Sequence, residues 1–473
     1  MSRTPLVDAW RRARALNRHP FQIPGHKGRY AVGDAAIGAD LLAALVRDDI
    51  PLQGGVDDNA YSTHVLEGAE ALWAAAVGAD HSRFLVGGSS QGNIAALCAV
   101  ATPGVPIAVD RTSHRSVLAG LVVSGARPVW IRPRLHPEFG LPVGMATAAL
   151  SGLDDAISAV YVTSPSYVGT LSPVGELAAE AHRRGIAFVV DQAWGAHLEF
   201  LPGRGALASG ADLSVVSVHK ALMGYSQTAV ISLRGGLIDR ARVDRGVDLT
   251  STTSPSGTLL ASIDATREVM EREGADALAR TIDAVAHVRR LLSRVSGLVV
   301  LDDDNAGCAV DPTKVTLLLP GTGASGVDVG AALWELGHGP ESADDDSVVV
   351  SFTVADDEEF ILGAADVIAG IVAANRSEPR GFAPSAVWDT EPDVVLSPRE
   401  AYFAPRRRLR LDNAVGQVSA EQFCPYPPGV PLLAPGESVT AEIVEAIRAA
   451  GRVGRVAYCS DPTLETIEVV ELT

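Results

Sequence analysis

Two short segments hold the residues whose types and spacing could do chemistry. An apolar run, Ala187-Phe188-Val189-Val190, ends in Asp191 and continues Gln192-Ala193-Trp194-Gly195-Ala196-His197. About one βαβ turn later a second run, Leu213-Ser214-Val215-Val216, ends in Ser217-Val218-His219-Lys220. A carboxylate and a lysine delivered by the C-terminal ends of two apolar strands suit pyridoxal 5'-phosphate (PLP). The lysine amine condenses with the aldehyde, and the aspartate pairs with the pyridinium nitrogen and keeps the ring an electron sink. A lone lysine after an apolar strand is ordinarily an exposed helix-start residue. The company of Ser217, His219 and Asp191 turns that reading towards a Schiff-base lysine. A buried, electropositive setting would lower its pKa, as imine exchange requires.

Other segments could complete such a site. Gly87-Gly88-Ser89-Ser90-Gln91-Gly92-Asn93 lies between a strand-like run and the helical Ile94-Ala95-Ala96-Leu97. Glycines and hydroxyls at a strand-to-helix junction expose backbone N–H groups to an anion. With Lys220 and Asp191 the turn reads as a phosphate cup, Ser89 and Ser90 adding side-chain donors. No Gly-Lys-Ser/Thr follows, so it is not a Walker loop. His114, in Arg111-Thr112-Ser113-His114-Arg115-Ser116, either stacks on the pyridine face or caps a helix. His197 either orients Asp191 through a hydrogen bond or is a satisfied polar residue. Phe21-Gln22-Ile23-Pro24-Gly25-His26-Lys27-Gly28 is a tight, basic turn, and Thr252-Thr253-Ser254-Pro255-Ser256 is a hydroxyl cluster that could equally be a helix N-cap.

The elements that must position these residues are visible as alternating patterns. Strand-like runs are Arg83–Val86, Ile107–Val109, Pro128–Ile131, Ala159–Val162, Ala187–Val190, Leu213–Val216 and Ala229–Ser232, with alanine-rich helical stretches between them, such as Val174–Arg184 closing on Gly185. Continuous apolar strands separated by amphipathic helices predict a mostly parallel sheet covered on both faces. Functional residues then gather at the strands' carboxyl ends. A long helical pattern, Leu259 to Arg294, leads to a smaller α/β unit with Val315–Leu319, Gly326–Leu336, Ser347–Val354 and the helix Asp357–Ala374. Arg376 to Pro398 is proline-rich and weakly periodic, so it reads as a linker. The remainder closes on a strand from Thr466 to Glu471. The expected division is 1–270 for the N-terminal segment and PLP-binding large domain, 271–375 for the small domain and 376–473 for linker and C-terminal domain.

Bulk properties narrow the class. At 473 residues, 47% hydrophobic and 20% charged, the chain is a well-cored globular protein of two or three domains. A net charge of −18 argues against nucleic acid and anionic membrane as partners. The run Arg406-Arg407-Arg408 therefore reads as a solvated or ion-paired patch. Cys98, Cys308, Cys424 and Cys459 make no CxxC pair, which fits a reducing, cytoplasmic compartment without disulfides or a zinc site. Met1 to Arg18 lacks an apolar core and reads as an amphipathic helix rather than a signal peptide. No run of about 18 apolar residues could span a membrane.

Several marks converge on a family. They are Pro24-Gly25-His26-Lys27-Gly28, Ser113-His114-Arg115-Ser116, Thr163-Ser164-Pro165-Ser166-Tyr167-Val168-Gly169, Asp191 to His197, Ser217 to Lys220, Thr253-Ser254-Pro255-Ser256 and Tyr426-Pro427-Pro428-Gly429-Val430-Pro431. Over nearly its whole length the chain resembles the Orn/Lys/Arg decarboxylases, PLP-dependent enzymes built on the aspartate-aminotransferase fold, and looks like their shorter, wingless branch. The resemblance implies a PLP fold-type I large domain, a smaller α/β domain and a C-terminal α+β domain. It implies decarboxylation of an amino acid, most simply a basic one (lysine, ornithine or arginine), to the amine and CO2. It implies Lys220, Asp191 and His114 as catalytic residues, and Ser89, Ser90, Gln91, His114, Asp191, Ala193, Ser217, His219, Lys220 and Ser254 as the cofactor-binding set. Ser254 would reach the neighbouring subunit's phosphate, which makes a homodimer or higher homo-oligomer with shared sites. Trp194 stands where many short members carry histidine, and Ser89-Ser90-Gln91-Gly92 is an uncommon phosphate loop. A cationic substrate needs a distal acid, for which Asp57, Asp58, Glu421 and Glu437 are candidates. The competing readings are an aminotransferase or lyase on the same fold, and a catalytically silent regulatory homologue.

Overall fold

Seven apolar runs become one sheet. The computed structural model describes residues 2–15, 24, 47–57, 64–153, 156–382, 392–426, 430–452 and 456–471. The strands are β1 (His81–Leu85), β2 (Ile107–Asp110), β3 (Pro128–Ile131), β4 (Ala159–Thr163), β5 (Ala187–Asp191), β6 (Leu213–Ser217) and β7 (Ala229–Leu233), in the order β1-β7-β6-β5-β4-β2-β3. Six strands run one way; β7 alone is antiparallel to both its neighbours. Every residue of β2, β5, β6 and β7 is buried, as expected of strands covered on both faces. The helix Val174–Arg183 ends as the sequence predicts, on Gly185 at φ +67°. Within this sheet β5 lies between β4 and β6, in a register that sets Asp191 beside Thr163 on one side and Val215 on the other.

The 36-residue helix Gly257–Leu292 carries the chain onward. At 1.5 Å per residue it is about 54 Å long. Leu260, Ile263, Met270 and Leu278, within its first two thirds, belong to the core under the large sheet. Val285, Val288 and Leu292 on its second half belong to another core, under a second sheet. That sheet is antiparallel, ordered β10-β11-β9-β8, from β8 (Val299–Val300), β9 (Lys314–Leu318), β10 (Ser342–Ala343) and β11 (Ser347–Ser351). The helix Glu358–Ala374 covers it, capped by Asp357 accepting from the Phe360 N–H at 2.7 Å.

The C-terminal segment pairs β12 (Arg406–Arg410) with β15 (Thr466–Val470), and β13 (Cys424–Tyr426) with β14 (Val456–Tyr458). The basic run lies on β12, where Arg406 and Arg408 both reach Glu468, at 3.2 and 3.3 Å. It is the ion-paired patch that the net charge suggested. Helix Pro5–Ala15 occupies part of the expected N-terminal amphipathic stretch. Of the Phe21–Gly28 turn only Pro24 is described; its other residues, Asp58 and Pro427-Pro428-Gly429 lie outside the described residues. Among the described residues no helix is long and apolar enough to cross a membrane.

Candidate active site

Asp191 ends β5 and is 1% exposed. A buried carboxylate needs donors, and two are in place. The Ala193 N–H reaches one oxygen at 3.0 Å, closing a tight turn after the strand. The side-chain amide of Asn93 reaches the other at 2.7 Å. Asn93 comes from the helix Gly88–Val100 and is itself locked: it accepts from Tyr161 Oη at 2.9 Å and donates to Ser116 Oγ at 2.9 Å. Burial raises the Asp191 pKa, against the pull of Lys220, the Ala193 N–H and Asn93. Such a carboxylate gains from a cationic partner that arrives with a proton.

The same network orients His114. It is the N-cap of the helix Arg115–Ser124, its Nδ1 accepting from the Ser116 N–H at 3.2 Å, with Ser116 Oγ at 2.8 Å. Of its two sequence readings the capping one is observed, and the residue stands four positions past the end of β2. With Nδ1 accepting, the ring proton belongs on Nε2. Burial, together with Lys220 and Arg115, pushes its pKa down to about 4, so the ring is neutral at neutral pH. Asn93 and Ser116 thus link Asp191 to His114 through consecutive hydrogen bonds.

An anion cradle lies alongside. Ser217 ends β6, and its Oγ is buried with no hydrogen-bond partner among the described residues. An orphaned hydroxyl in a buried site is costly unless something else meets it. His219 follows, its Nδ1 2.9 Å from the Thr228 carbonyl, which leaves Nε2 free to face a ligand. Opposite is the N-terminus of the helix Gly88–Val100. Gly88 has φ +70°, and a Cβ on Gly92 would sit 2.5 Å from Val215, so glycine lets this helix approach β6. Ser89 is buried and Ser90 exposed. The Gln91 side chain accepts from the Gly87 N–H at 2.9 Å and donates to Ser251 Oγ at 2.8 Å, bracing the turn. Ala193 likewise commits its N–H to Asp191. Exposed helix N–H groups, an unpartnered serine and a histidine suit a phosphate. With Asp191 for a ring nitrogen and Lys220 for an aldehyde, the residues fit PLP.

Lys220 Nζ lies 4.0 Å from the centroid of the Trp194 ring. Burial lowers its pKa, opposed by Asp191 and Glu341. A second lysine shares the ring: Lys314 Nζ is 3.8 Å from the same centroid. Neither Lys314 nor Glu341 was a sequence candidate. Lys314 starts β9, where a lysine at a strand edge looks like an ordinary surface residue. Docking of the second sheet delivers it. The Asp311 N–H meets the Gly169 carbonyl at 2.7 Å, and Thr316 Oγ1 meets the Val168 carbonyl at 2.7 Å.

Other candidates are placed elsewhere. His197 does not touch Asp191; it pairs with Asp311 at 3.0 Å and Thr313 at 3.3 Å, joining the two sheets. Its second nitrogen is buried without a partner among the described residues. Burial would raise the Asp311 pKa, but His197 and Lys314 outweigh it and bring it to about 2. Asp57 accepts from the N–H groups of Val65 and Leu66, at 3.1 and 3.2 Å. Glu437, 1% exposed, takes Arg111 in a bidentate pair at 2.6 and 2.9 Å. Glu421 accepts from the Ser460 hydroxyl at 2.9 Å and the Glu468 N–H at 2.7 Å. Each of these carboxylates is thus engaged within the subunit. Ser254 is exposed, its N–H donating to Thr252 Oγ1 at 3.2 Å; Ser256 is the N-cap of the long helix, its hydroxyl donating to Asp49 Oδ1 at 3.1 Å rather than capping the helix. Ser90, His114 and Ser116 line a cleft of about 700 Å³ whose other wall includes Glu421, Gln422 and Tyr458.

Comparison with known proteins agrees with this geometry. Residues 4–306 match the major domain of Orn/Lys/Arg decarboxylase, and residues 383–455 match its C-terminal domain. The chain is 30% identical to the arginine decarboxylase of Halalkalibacterium halodurans, over 99% of this chain and 98% of that one. Its fold is similar to that of the Francisella novicida lysine decarboxylase LdcF, with a TM-score of 0.81 at 18% identity over 99% of this chain and 81% of the other. A structure of SPT with PLP matches 66% of this chain and 78% of its own, with a TM-score of 0.52 and 15% identity. The architecture is the PLP fold-type I, or aspartate-aminotransferase-like, α/β fold, and the chain belongs to the Orn/Lys/Arg decarboxylase family.

Proposed function

We propose that this chain decarboxylates a basic amino acid to the corresponding amine and CO2, using PLP held at Lys220 and Asp191. The observation that carries the reading is the pair itself: a buried carboxylate at the end of β5, braced by Asn93, beside a half-buried lysine just past β6. Bound there, PLP supplies an electron sink for the pair of electrons left at Cα when CO2 departs. Lys220 holds the cofactor through Nζ. Asp191 keeps a proton on the ring nitrogen. Ser217, His219, Ser89 and the helix N–H groups take the phosphate. His114, neutral, offers its flat face. Trp194 and the buried surroundings of Lys220 keep water from the reacting end, where a poorly hydrated carboxylate leaves more easily.

The choice of a basic substrate is supported by the family and by relatives named arginine and lysine decarboxylases that align along most of the chain. The test is incubation of the purified protein with arginine, lysine, ornithine and aromatic controls, reading CO2 and amine. One basic amino acid should give both in equal amounts. A keto acid with pyridoxamine phosphate would mean an aminotransferase. PLP bound without turnover of any basic amino acid would mean a silent homologue.

The working unit is proposed to be a homodimer in which the exposed Ser254 meets the partner's cofactor phosphate. Contacts of that kind call for a large, obligate interface. Lys220→Ala chains mixed with inactive chains altered at Thr252, Thr253 and Ser254 should regain part of the activity, since each heterodimer holds one intact site. Verified heterodimers without recovery, or a fully active monomer at high dilution, would defeat this arrangement.

A further inference from the structure

Beside the half-buried Lys220 the chain holds a second, fully buried lysine to which the reaction above gives no task. Lys314 is 2% exposed, and its Nζ donates to the Tyr167 carbonyl at 3.3 Å. It makes no ion pair among the described residues. Its place is fixed by neighbours on both sides: Arg289 binds the carbonyls of Lys314 and Asp311, and Asp311 is held by His197. Since both lysine nitrogens lie over one indole, at 4.0 and 3.8 Å, they are within about 8 Å of each other. The ring attracts each ammonium but does not cancel their repulsion.

We propose that Lys314 is a positioning residue that acts on Lys220 beside the Trp194 ring: its charge makes a protonated Lys220 costly and so keeps a neutral, nucleophilic amine where the cofactor is captured. This rests on the reading of Lys220 as the cofactor lysine. Only a neutral amine attacks an aldehyde, and proteins produce one by desolvation or by a neighbouring cation; here both are present. The other charged groups divide. Asp191, on β5, and Glu341, before β10, favour the charged form of Lys220. His114 and His219, both pushed down by burial and by Lys220, add no positive charge at neutral pH. Burial lowers the Lys314 pKa to about 8 with Lys220 adding to the effect, against Asp311 and Glu341. The two amines titrate as a coupled pair, so the first proton leaves the pair rather than one residue. At this separation and an effective dielectric of about 20, the repulsion corresponds to a shift on the order of one pKa unit.

The experiment follows PLP capture by the full-length protein freed of cofactor, reading imine absorbance from neutral to alkaline pH, with the modified lysine mapped after borohydride reduction. Lys314→Met should slow capture at neutral pH, where Lys314 carries its charge, by about tenfold, and move the midpoint of capture up. Lys314→Arg, which keeps a permanent charge, should hold the midpoint at or below that of the wild type. Lys314→Gln keeps a donor for the Tyr167 carbonyl and serves as a second neutral variant if the methionine chain fails to fold. A purely structural role would move neutral and charged variants alike. An unshifted midpoint in both neutral variants, or arginine moving with them, overturns the inference while leaving the cofactor reading intact. A wild-type chain that captures no PLP at Lys220 overturns both.

Discussion

Lys220→Ala is expected to abolish turnover and the borohydride-reducible cofactor bond together. The residue follows β6 directly, its amine sits beside Trp194, and burial already loosens its proton. No other described lysine except Lys314 lies near the ring, and Lys314 is tied to the Tyr167 carbonyl. Removal of a covalent nucleophile costs on the order of 10⁴-fold or more in rate. The fold should persist, because a short side chain within the four-residue helical turn Val218–Ala221 leaves the sheet untouched. The measurement is the absorption band of bound PLP together with amine release. A reduced PLP adduct mapped to another lysine would remove Lys220 from its proposed role.

Asp191→Asn is expected to bind PLP more weakly and to lose about 100-fold or more in rate, since a charged partner of this kind typically contributes a few kcal/mol in the transition state. The substitution keeps the shape, so the loss reports charge. An amide oxygen can still accept from the Ala193 N–H, but its NH2 then faces the NH2 of Asn93, where an oxygen now accepts at 2.7 Å. The variant should also change pH behaviour. Asp191 favours the charged form of Lys220, so its removal should lower the Lys220 pKa and shift cofactor capture to lower pH, while turnover falls. Weaker catalysis with capture moved to lower pH would separate the electronic role of Asp191 from simple disruption. Near-wild-type turnover would rule that role out.

Much of this site can be read locally. Largely apolar runs that end in paired valines mark β5 and β6, and the residues that close or follow them, Asp191 and Ser217 to Lys220, then fall at carboxyl ends of parallel strands. The glycine-hydroxyl turn at Gly87 to Gly92 is visible for the same reason: a strand-to-helix junction is encoded within a few consecutive residues. The long helix and the two five-residue strands of the second sheet, β9 and β11, also follow from period and length; β8 and β10, of two residues each, do not.

What only the tertiary structure decided is the set of partners. Asn93 lies 98 residues from the carboxylate it holds, and its one trace in the sequence is an amide among the Ile, Ala and Leu of a buried helix. His197 could have served Asp191 by proximity in sequence, yet it faces Asp311, 114 residues on, because the second sheet docks at Gly169 and Val168. That docking also brings Lys314 to Trp194. Glu437, Glu421 and Asp57 looked free as isolated acids and are each consumed by an arginine or by backbone donors. Local pattern determines which element forms and which end of it is polar, since those depend on neighbouring residues. Which distant side chain satisfies a buried charge depends on strand order, register and the seating of one sheet against another, and no short-range spacing encodes these.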